Sequence, residues 1–157
     1  MAYSESSQTL HIVPLLAPVD TAAGTATSDI IDAGDCQHVQ FLIFFGAIDV
    51  AGVVDVYEAD NNTPTTSVAT AKFTYQLSAA VGTDLMGGVT AGSLALATAG
   101  TIDGMLMVID INPADLTAGY PYVYVTWNPT LGAANLIAII GLVTPRYSQN
   151  VVPSVVD

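Results

Sequence analysis

The chain is poor in positive charge. Only Lys72 and Arg146 stand against 14 acidic residues among 157, so the net charge is −12. Proteins that bind DNA or RNA use lysine and arginine to displace the counterions of the phosphate backbone. Because a chain with this charge balance is repelled by phosphates, direct nucleic-acid binding is excluded. The simplest interpretation is an acidic surface that stays hydrated and resists non-specific association.

Cysteine and long apolar runs are scarce as well. Cys36 is the single cysteine, so no disulfide can form within the chain. No apolar run approaches the roughly 20 residues needed to span a bilayer, which argues against a membrane protein. The first residues lack the basic start and the cleavage site of a secretory signal, and this predicts synthesis and assembly in a cytoplasm.

Helical periodicity is also missing, since no window of 11 residues or more repeats with a helical period. Short alternating runs are separated instead by glycine, proline and asparagine. This pattern predicts an all-β fold, an antiparallel β-sandwich that is jelly-roll-like and has about eight strands. The length suits one domain over residues 1–157. Residues 1–7 are small and polar and are expected to form an amino-terminal arm. Residues 148–157 are expected to form an extended carboxyl-terminal arm, because Pro145 and Pro153 interrupt regular pairing.

The predicted strands follow the period-two runs. Residues 68–77 form the clearest half-buried strand, with Thr70 and Lys72 on the face toward water. Pro18 is expected to close the first strand, and Gly46 predicts a bulge or bend. Pro113 suits the first position of a single helical turn over residues 112–116. The predicted strands are 10–16, 28–33, 38–48, 52–58, 68–77, 94–97, 105–111, 120–127 and 136–143.

Residues 120–143 are the stretch that most strongly indicates assembly. Two apolar runs flank a connector containing Pro129 and Gly132, which predicts an antiparallel pair with a long loop. The first run places a row of tyrosines on the face opposite Val125 and Trp127. The second run is apolar on both faces, so these strands are central or their outer faces meet another subunit. With 52% hydrophobic residues, we expect a homo-oligomer.

Two sets of acidic residues are candidates for chemistry. Asp29, Asp32 and Asp35 lie three residues apart beside a glycine and could offer oxygen ligands to calcium. The EF-hand pattern is absent and strand alternation would scatter these carboxylates, so solvated loop acids are favoured. Asp55, Glu58 and Asp60 could supply a glycosidase acid pair, but the spacing of Asp55 and Glu58 on a strand points them to opposite faces.

Cys36 and His38 are the remaining catalytic candidates. On a regular strand they share a face as a thiol and a base, yet no third residue is placed to orient the histidine. A buried cysteine and a histidine at a polar edge are favoured instead. The glycines form no phosphate-binding pattern with a following lysine. We therefore predict no enzymatic activity, no metal and no cofactor.

The tyrosine row has two interpretations. Tyr120, Tyr122 and Tyr124 could stack on sugar rings, together with Trp127, as in carbohydrate-binding sandwiches. They could equally form a protein interface, where tyrosine is enriched, and the high apolar content favours this second interpretation. A carbohydrate-binding module remains the alternative from another functional class.

Three stretches carry a resemblance to a known group of proteins. They read VQFLIFFGAIDVAGVVDVYEAD, DINPADLTAGYPYVYVTW and LIAIIGLVTPRY. Over residues 37–147 they show a strand-turn-strand with an acidic turn, a late aromatic strand and a terminal Pro-Arg-Tyr. In these features the chain resembles small all-β structural proteins of tailed bacteriophages. Such proteins accompany the major capsid protein and act as head decoration or cement subunits.

The resemblance implies a virion subunit that is trimeric, has no enzymatic activity and is assembled in the host cytoplasm. Its partners would be the major capsid protein or other virion subunits. A neck, tail or head-fibre base protein is also consistent with it. Arg146 could form a bidentate pair with a carboxylate of an adjoining subunit. The predicted interface residues are Tyr120, Tyr122, Tyr124, Arg146 and Tyr147.

Overall fold

The computed structural model describes residues 10–21, 24–93, 96–97, 102–130, 134–146 and 155–156. Within these ranges the chain is almost entirely β-structure, with one 3-10 turn, η1 (Pro113–Asp115). No helix in the described ranges is long and apolar enough to cross a membrane. The strands are β1 (His11–Asp20), β2 (Ala26–Thr27), β3 (Ile30–Asp32), β4 (Cys36–Ile48), β5 (Gly52–Ala59), β6 (Ser67–Ala69), β7 (Thr74–Leu77), β8 (Thr90–Ala91), β9 (Leu96–Ala97), β10 (Leu106–Ile111), β11 (Tyr122–Pro129), β12 (Asn135–Pro145) and β13 (Val155–Val156).

The strands form two antiparallel sheets. Sheet A has six strands in the order β1-β12-β4-β10-β7-β8. Sheet B has the main order β13-β3-β11-β5-β6, with β2 paired to β11 and β9 paired to β5. The all-β, antiparallel prediction is therefore confirmed. The jelly-roll connection is not confirmed, and neither is the count of about eight strands.

One hydrophobic core lies between the sheets and joins them as a sandwich. The inward side chains of β4 alternate with outward ones and include Phe41 and Phe45, both at most 1% exposed. Sheet B contributes Val125 and Trp127 from β11, which are fully buried. The ring centroids of Phe45 and Trp127 lie 5.4 Å apart in an edge-to-face contact across the two sheets. Each such buried side chain contributes about 1.5–3 kcal/mol to folding.

The predicted pairing of the two runs in residues 120–143 is wrong. β11 pairs with β5, β3 and β2 in sheet B, whereas β12 pairs with β1 and β4 in sheet A. The chain therefore crosses from one sheet to the other between these strands. Both runs bury their alternate residues in the same core from opposite sides, so the alternation is as predicted even though the strands are not neighbours. β12 is a central strand, which was one of the two predicted alternatives.

The predicted strand over residues 68–77 is also wrong, because it is two strands in different sheets. β6 belongs to sheet B and β7 to sheet A, and the chain changes sheets between them. Thr70 was expected to face water but is 5% exposed, and its hydroxyl donates to Glu58 Oε1 at 2.6 Å. The Thr70 amide also donates to the carbonyl of Val56 in β5. Thr70 is therefore still hydrogen-bonded to sheet B just before the chain passes to sheet A.

Predictions at two prolines and one glycine have different outcomes. β1 continues past Pro18, where an end was predicted, because it is an edge strand with two register shifts. The bend predicted at Gly46 coincides with a register shift between β4 and β12. The helical turn beginning at Pro113 is confirmed and is capped by the Asn112 side chain.

The predicted terminal arms fall mostly outside the described residues. Nothing is described over residues 1–7, nor over 148–154 and residue 157. Within the predicted carboxyl-terminal arm, β13 pairs with β3 of the same chain. The predicted strand 94–97 is described only at its last two residues, as β9.

Candidate functional site

The outer face of sheet A is apolar over most of its width. β4 and β12 are hydrophobic on both faces, so burying one face leaves a second set of hydrophobic side chains pointing outward. The strand register aligns this set in rows, for example Val108, Leu42, Ile140 and Pro14 on four adjacent strands. We call the following set the apolar face: Ile12, Leu42, Phe44, Leu106, Val108, Leu136, Ala138, Ile140 and Leu142.

Three members of the apolar face are strongly exposed. Ile12 is 67% exposed, Phe44 47% and Leu136 43%, while the others are partly buried by their neighbours. Gly46 lets the Leu136 side chain lie against β4, since a Cβ atom at Gly46 would stand 3.0 Å from it. A contiguous apolar surface of this kind is typical of a protein interaction site.

Polar groups border the apolar face at one end. His38 Nε2 lies 3.2 Å from Asp110 Oδ1, and the Gln40 side chain donates to the same oxygen at 2.6 Å. A cleft of about 390 Å³ adjoins these groups and also contacts Lys72. His38 and Gln40 are thus both partners of the Asp110 carboxylate, so this carboxylate is not unpaired beside the apolar face.

Sheet B presents tyrosines on its outer face. Tyr122 and Tyr124 are half-buried and point away from the core, as the alternation of β11 predicted. Tyr124 stacks on Tyr57 of β5, with centroids 5.0 Å apart and rings 10° from parallel. Burial, then the charge of Asp55, raises the pKa of Tyr57. Tyr57 was not predicted as a site residue, although it alternates with the buried Val56 and that spacing points it outward.

A cleft of about 460 Å³ opens beside Tyr124. One wall comes from the segment that joins β2 to β3, and the other from the loop that joins β5 to β6. We call it the tyrosine cleft, and its principal lining residues are Thr27, Asp29, Asn62, Pro64, Ser67 and Tyr124.

The loop that forms one wall of the tyrosine cleft is tied together by Asp60. Its carboxylate accepts hydrogen bonds from the Thr65 hydroxyl at 2.7 Å and from the Thr66 amide at 3.2 Å. The Asp60 amide in turn donates to the Thr66 carbonyl. The Thr65 hydrogen bond is the main reason why the pKa of Asp60 is lowered. These hydrogen bonds hold this wall in one conformation.

The other predicted interface residues are more scattered. Tyr120 precedes β11 and its amide donates to the Thr117 carbonyl, so it does not continue the row of the other two tyrosines. Arg146 follows β12, is exposed, and donates its amide to the Asp35 carbonyl. Its guanidinium forms no ion pair with any residue in the described ranges. Tyr147 lies outside the described residues. Trp127 is fully buried and cannot reach a sugar.

The predicted shared face of Cys36 and His38 is wrong. A register shift in the pairing of β4 with β12 falls between them, so Cys36 points inward and His38 outward. The Cys36 thiol donates to the Asp32 carbonyl at 3.1 Å. Burial, with the charges of Asp32 and Asp35, raises the pKa of Cys36 to about 11. The thiol therefore stays protonated at neutral pH and is a poor nucleophile.

The acidic candidates lie apart from one another. Asp55 and Glu58 point to opposite faces of β5, as their spacing predicted. Asp32 Oδ1 accepts from the Gly34 amide, while Asp29 is one of the residues that line the tyrosine cleft. Over the ranges that the structure covers, no group of three histidine, cysteine or acidic residues could hold a metal ion.

Glu58 is a buried carboxylate with a structural set of partners. It is 2% exposed and accepts from the Thr70 hydroxyl at 2.6 Å and the Thr117 amide at 2.7 Å. Lys72 Nζ lies 3.6 Å away and donates to the Thr117 hydroxyl, so Lys72 does not simply face water as predicted. Burial alone would raise the pKa of Glu58, but these hydrogen bonds and the nearby ammonium hold it below its usual value.

Comparison with known proteins adds two distant structural similarities. No protein-family model matches the chain, and no curated protein matches it. A crystal structure of the SPBc2 prophage-derived protein YomS aligns at 11% identity and a TM-score of 0.42, covering 85% of this chain and 91% of that one. A chain of the T13 IBDV viral particle aligns at 12% identity and a TM-score of 0.24, covering 94% of this chain and 42% of that one. At these TM-scores neither similarity carries an argument about this protein.

Proposed function

We propose that this protein is a structural subunit of a tailed-bacteriophage virion, most specifically a capsid decoration or cement subunit that stabilises the head. The resemblance in residues 37–147 supplies the virion context. The apolar face is the observation that carries the structural role, because it is a broad hydrophobic surface on a regular sheet. The partners are further copies of this chain and the major capsid protein.

The chemistry of the apolar face supports self-association. Three of its side chains are 43–67% exposed, and burying a large hydrophobic side chain fully is worth about 1.5–3 kcal/mol. The face itself carries no charge, whereas the whole chain has a net charge of −12. Asp20, which is paired with Leu136, and Asp110 lie at the edges of this face rather than within it, so copies that meet through its centre bring few like charges together, which limits the repulsion between subunits. A trimer is the expected assembly.

Arg146 is the proposed contact with the capsid. It is exposed beyond the end of β12, and no carboxylate in the described ranges pairs with it. A guanidinium can form two parallel hydrogen bonds with one carboxylate, which fixes the orientation of the two partners. In an acidic chain, such a cation favours an acidic residue on the neighbouring subunit.

Mass analysis of purified phage particles tests the proposal directly. We expect this chain among the abundant proteins of the head, in a fixed ratio to the major capsid protein. Antibody labelling at the tail or neck would instead favour another virion part. Absence of the chain from purified particles would refute a virion role.

Arg146→Ala is expected to lower the occupancy of the chain on particles, and Arg146→Lys to restore it only in part, because lysine keeps the charge but not the paired geometry. Unchanged occupancy for both variants would remove Arg146 from the docking contact.

A further inference from the structure

We propose that the tyrosine cleft binds a neutral pyranose sugar, either as a monosaccharide or as one residue of a glycan. This function is separate from assembly, since the cleft lies on sheet B and the apolar face on sheet A. Its volume of about 460 Å³ falls within the range of roughly 300–1,000 Å³ that small-molecule sites occupy.

The aromatic wall of the cleft is held in place before any ligand arrives. Tyr124 is half-buried, and its stacking on Tyr57 fixes the ring at the surface of the sheet. Aromatic side chains offer a flat apolar surface at low cost in conformational entropy. The apolar face of a pyranose ring, formed by its C–H groups, can pack against such a surface.

The polar side chains of the cleft complement sugar hydroxyls. Asp29 is exposed, and its carboxylate makes no hydrogen bond with any residue in the described ranges. A carboxylate can accept from two neighbouring hydroxyls at once. Ser67 and Asn62 lie on the opposite wall, where a hydroxyl and an amide can both donate and accept. Hydroxyls that donate to Asp29 and accept from these groups would be satisfied on both sides of the ring.

The electrostatics of the cleft select an uncharged ligand. Its lining residues include one acid and no lysine, arginine or histidine. A phosphate or a sialic acid would meet Asp29 and the field of a chain with net charge −12. One carboxylate is also too few for a calcium site, which takes six to eight oxygen ligands. A neutral sugar satisfies the aromatic wall and the polar groups together.

The test is a titration of the full-length protein, monitored by changes in its NMR chemical shifts. The ligands are four methyl glycosides (glucoside, galactoside, mannoside and N-acetylglucosaminide) and sialic acid. We expect at least one neutral glycoside to bind in the millimolar range with little dependence on salt, and sialic acid to bind more weakly. Tyr124→Ala should weaken binding about tenfold, since it removes the flat aromatic wall against which the sugar ring packs.

Two further variants keep the test decisive. Asp29→Asn changes an exposed side chain, so a loss of affinity cannot be attributed to unfolding. Tyr120→Ala removes a tyrosine that does not line the cleft and should bind like wild type. The proposal is overturned if no neutral glycoside binds. It is equally overturned if binding survives both Tyr124→Ala and Asp29→Asn, because the sugar would then lie elsewhere.

Discussion

At the scale of single residues, Glu58 connects three segments of the chain. Its two oxygens hold Thr70, where the chain leaves sheet B, and Thr117, in the loop that leads to β11. A carboxylate that is 2% exposed is stable only when hydrogen bonds and a nearby cation replace its water. Lys72, at 3.6 Å, supplies that cation and explains why one of two positive charges lies here.

Replacing Glu58 should make this role measurable. In Glu58→Gln, one oxygen that accepts a hydrogen bond becomes an NH₂ group, which leaves either Thr70 or Thr117 without its acceptor. We expect the free energy of unfolding at neutral pH to fall by about 2 kcal/mol. Urea denaturation is the measurement. Asp84→Asn is the matched control, since it removes one charge from an exposed loop position and should change stability little.

The difference in free energy of unfolding between wild type and Glu58→Gln should also depend on pH. The pKa of Glu58 is lowered in the folded state, so its contribution is complete above the unfolded-state pKa and is lost as the pH falls through the folded-state pKa. The stability difference between wild type and Glu58→Gln should therefore be largest at neutral pH and shrink in acid. A difference that stayed constant from neutral to acidic pH would show that the ionised carboxylate contributes nothing.

Gly52 is a second residue whose identity the packing requires. A Cβ atom there would stand 2.4 Å from the buried ring of Trp127, at the start of β5. Because both the strand and the ring are enclosed, Gly52→Ala should destabilise the fold by about 1–3 kcal/mol through overpacking. Gly88→Ala is the control, since nothing lies within 4 Å of its added carbon. Equal melting temperatures for the two variants would contradict the predicted contact.

At the scale of elements, Ser28 bridges an interruption in sheet B. β2 and β3 both pair with β11, and Ser28 lies between them. Its amide donates to the Val125 carbonyl at 3.0 Å, while its hydroxyl accepts from the Val125 amide at 3.1 Å. The Ser28 hydroxyl thus takes the place of the backbone carbonyl that would accept from the Val125 amide if β2 and β3 were one continuous strand.

Ser28→Ala should leave the Val125 amide buried without a partner. Such a group costs about 1–3 kcal/mol, and the loss should appear both in global stability and as faster hydrogen exchange at Val125. Thr27→Val serves as the control, because it removes a hydroxyl from the exposed side of the adjacent β2 residue. If exchange at Val125 were equally slow in both variants, the hydroxyl would not be its partner.

The elements also show how far the sequence can be interpreted. The alternation of Val123, Val125 and Trp127 correctly identified the inward face of β11, because burial depends on a period of two along one strand. It did not identify β5 as the neighbour, since pairing depends on which distant segment completes the sheet. The change of sheet at residues 70–73 was missed for the same reason. Thr70 resembles an exposed strand residue until its partner Glu58 is known.

The candidate surfaces were predictable to a similar degree. Two-sided hydrophobicity in residues 136–143 indicated an outer apolar surface, but only the register places Ala138 and Ile140 opposite Phe44 and Leu42 of β4. Likewise, the outward position of Tyr124 followed from spacing, whereas its stack on Tyr57 required the pairing of β11 with β5.

At the scale of the whole molecule, an uncharged hydrophobic face on a strongly acidic chain predicts how association responds to mutation and salt. In sedimentation at micromolar concentration, the wild type should move as a species heavier than the 16.2 kDa chain.

Phe44→Glu places a charge in the centre of the apolar face, where it would be buried without a partner, and should yield the single chain. Val81→Glu is the matched control, because Val81 is similarly exposed, at 55%, but lies in a turn outside the apolar face. Added salt screens the repulsion between chains of net charge −12 and should strengthen association rather than weaken it. A wild type that sediments only at 16.2 kDa, or an equal effect of the two glutamate substitutions, would show that the apolar face does not join copies of this protein.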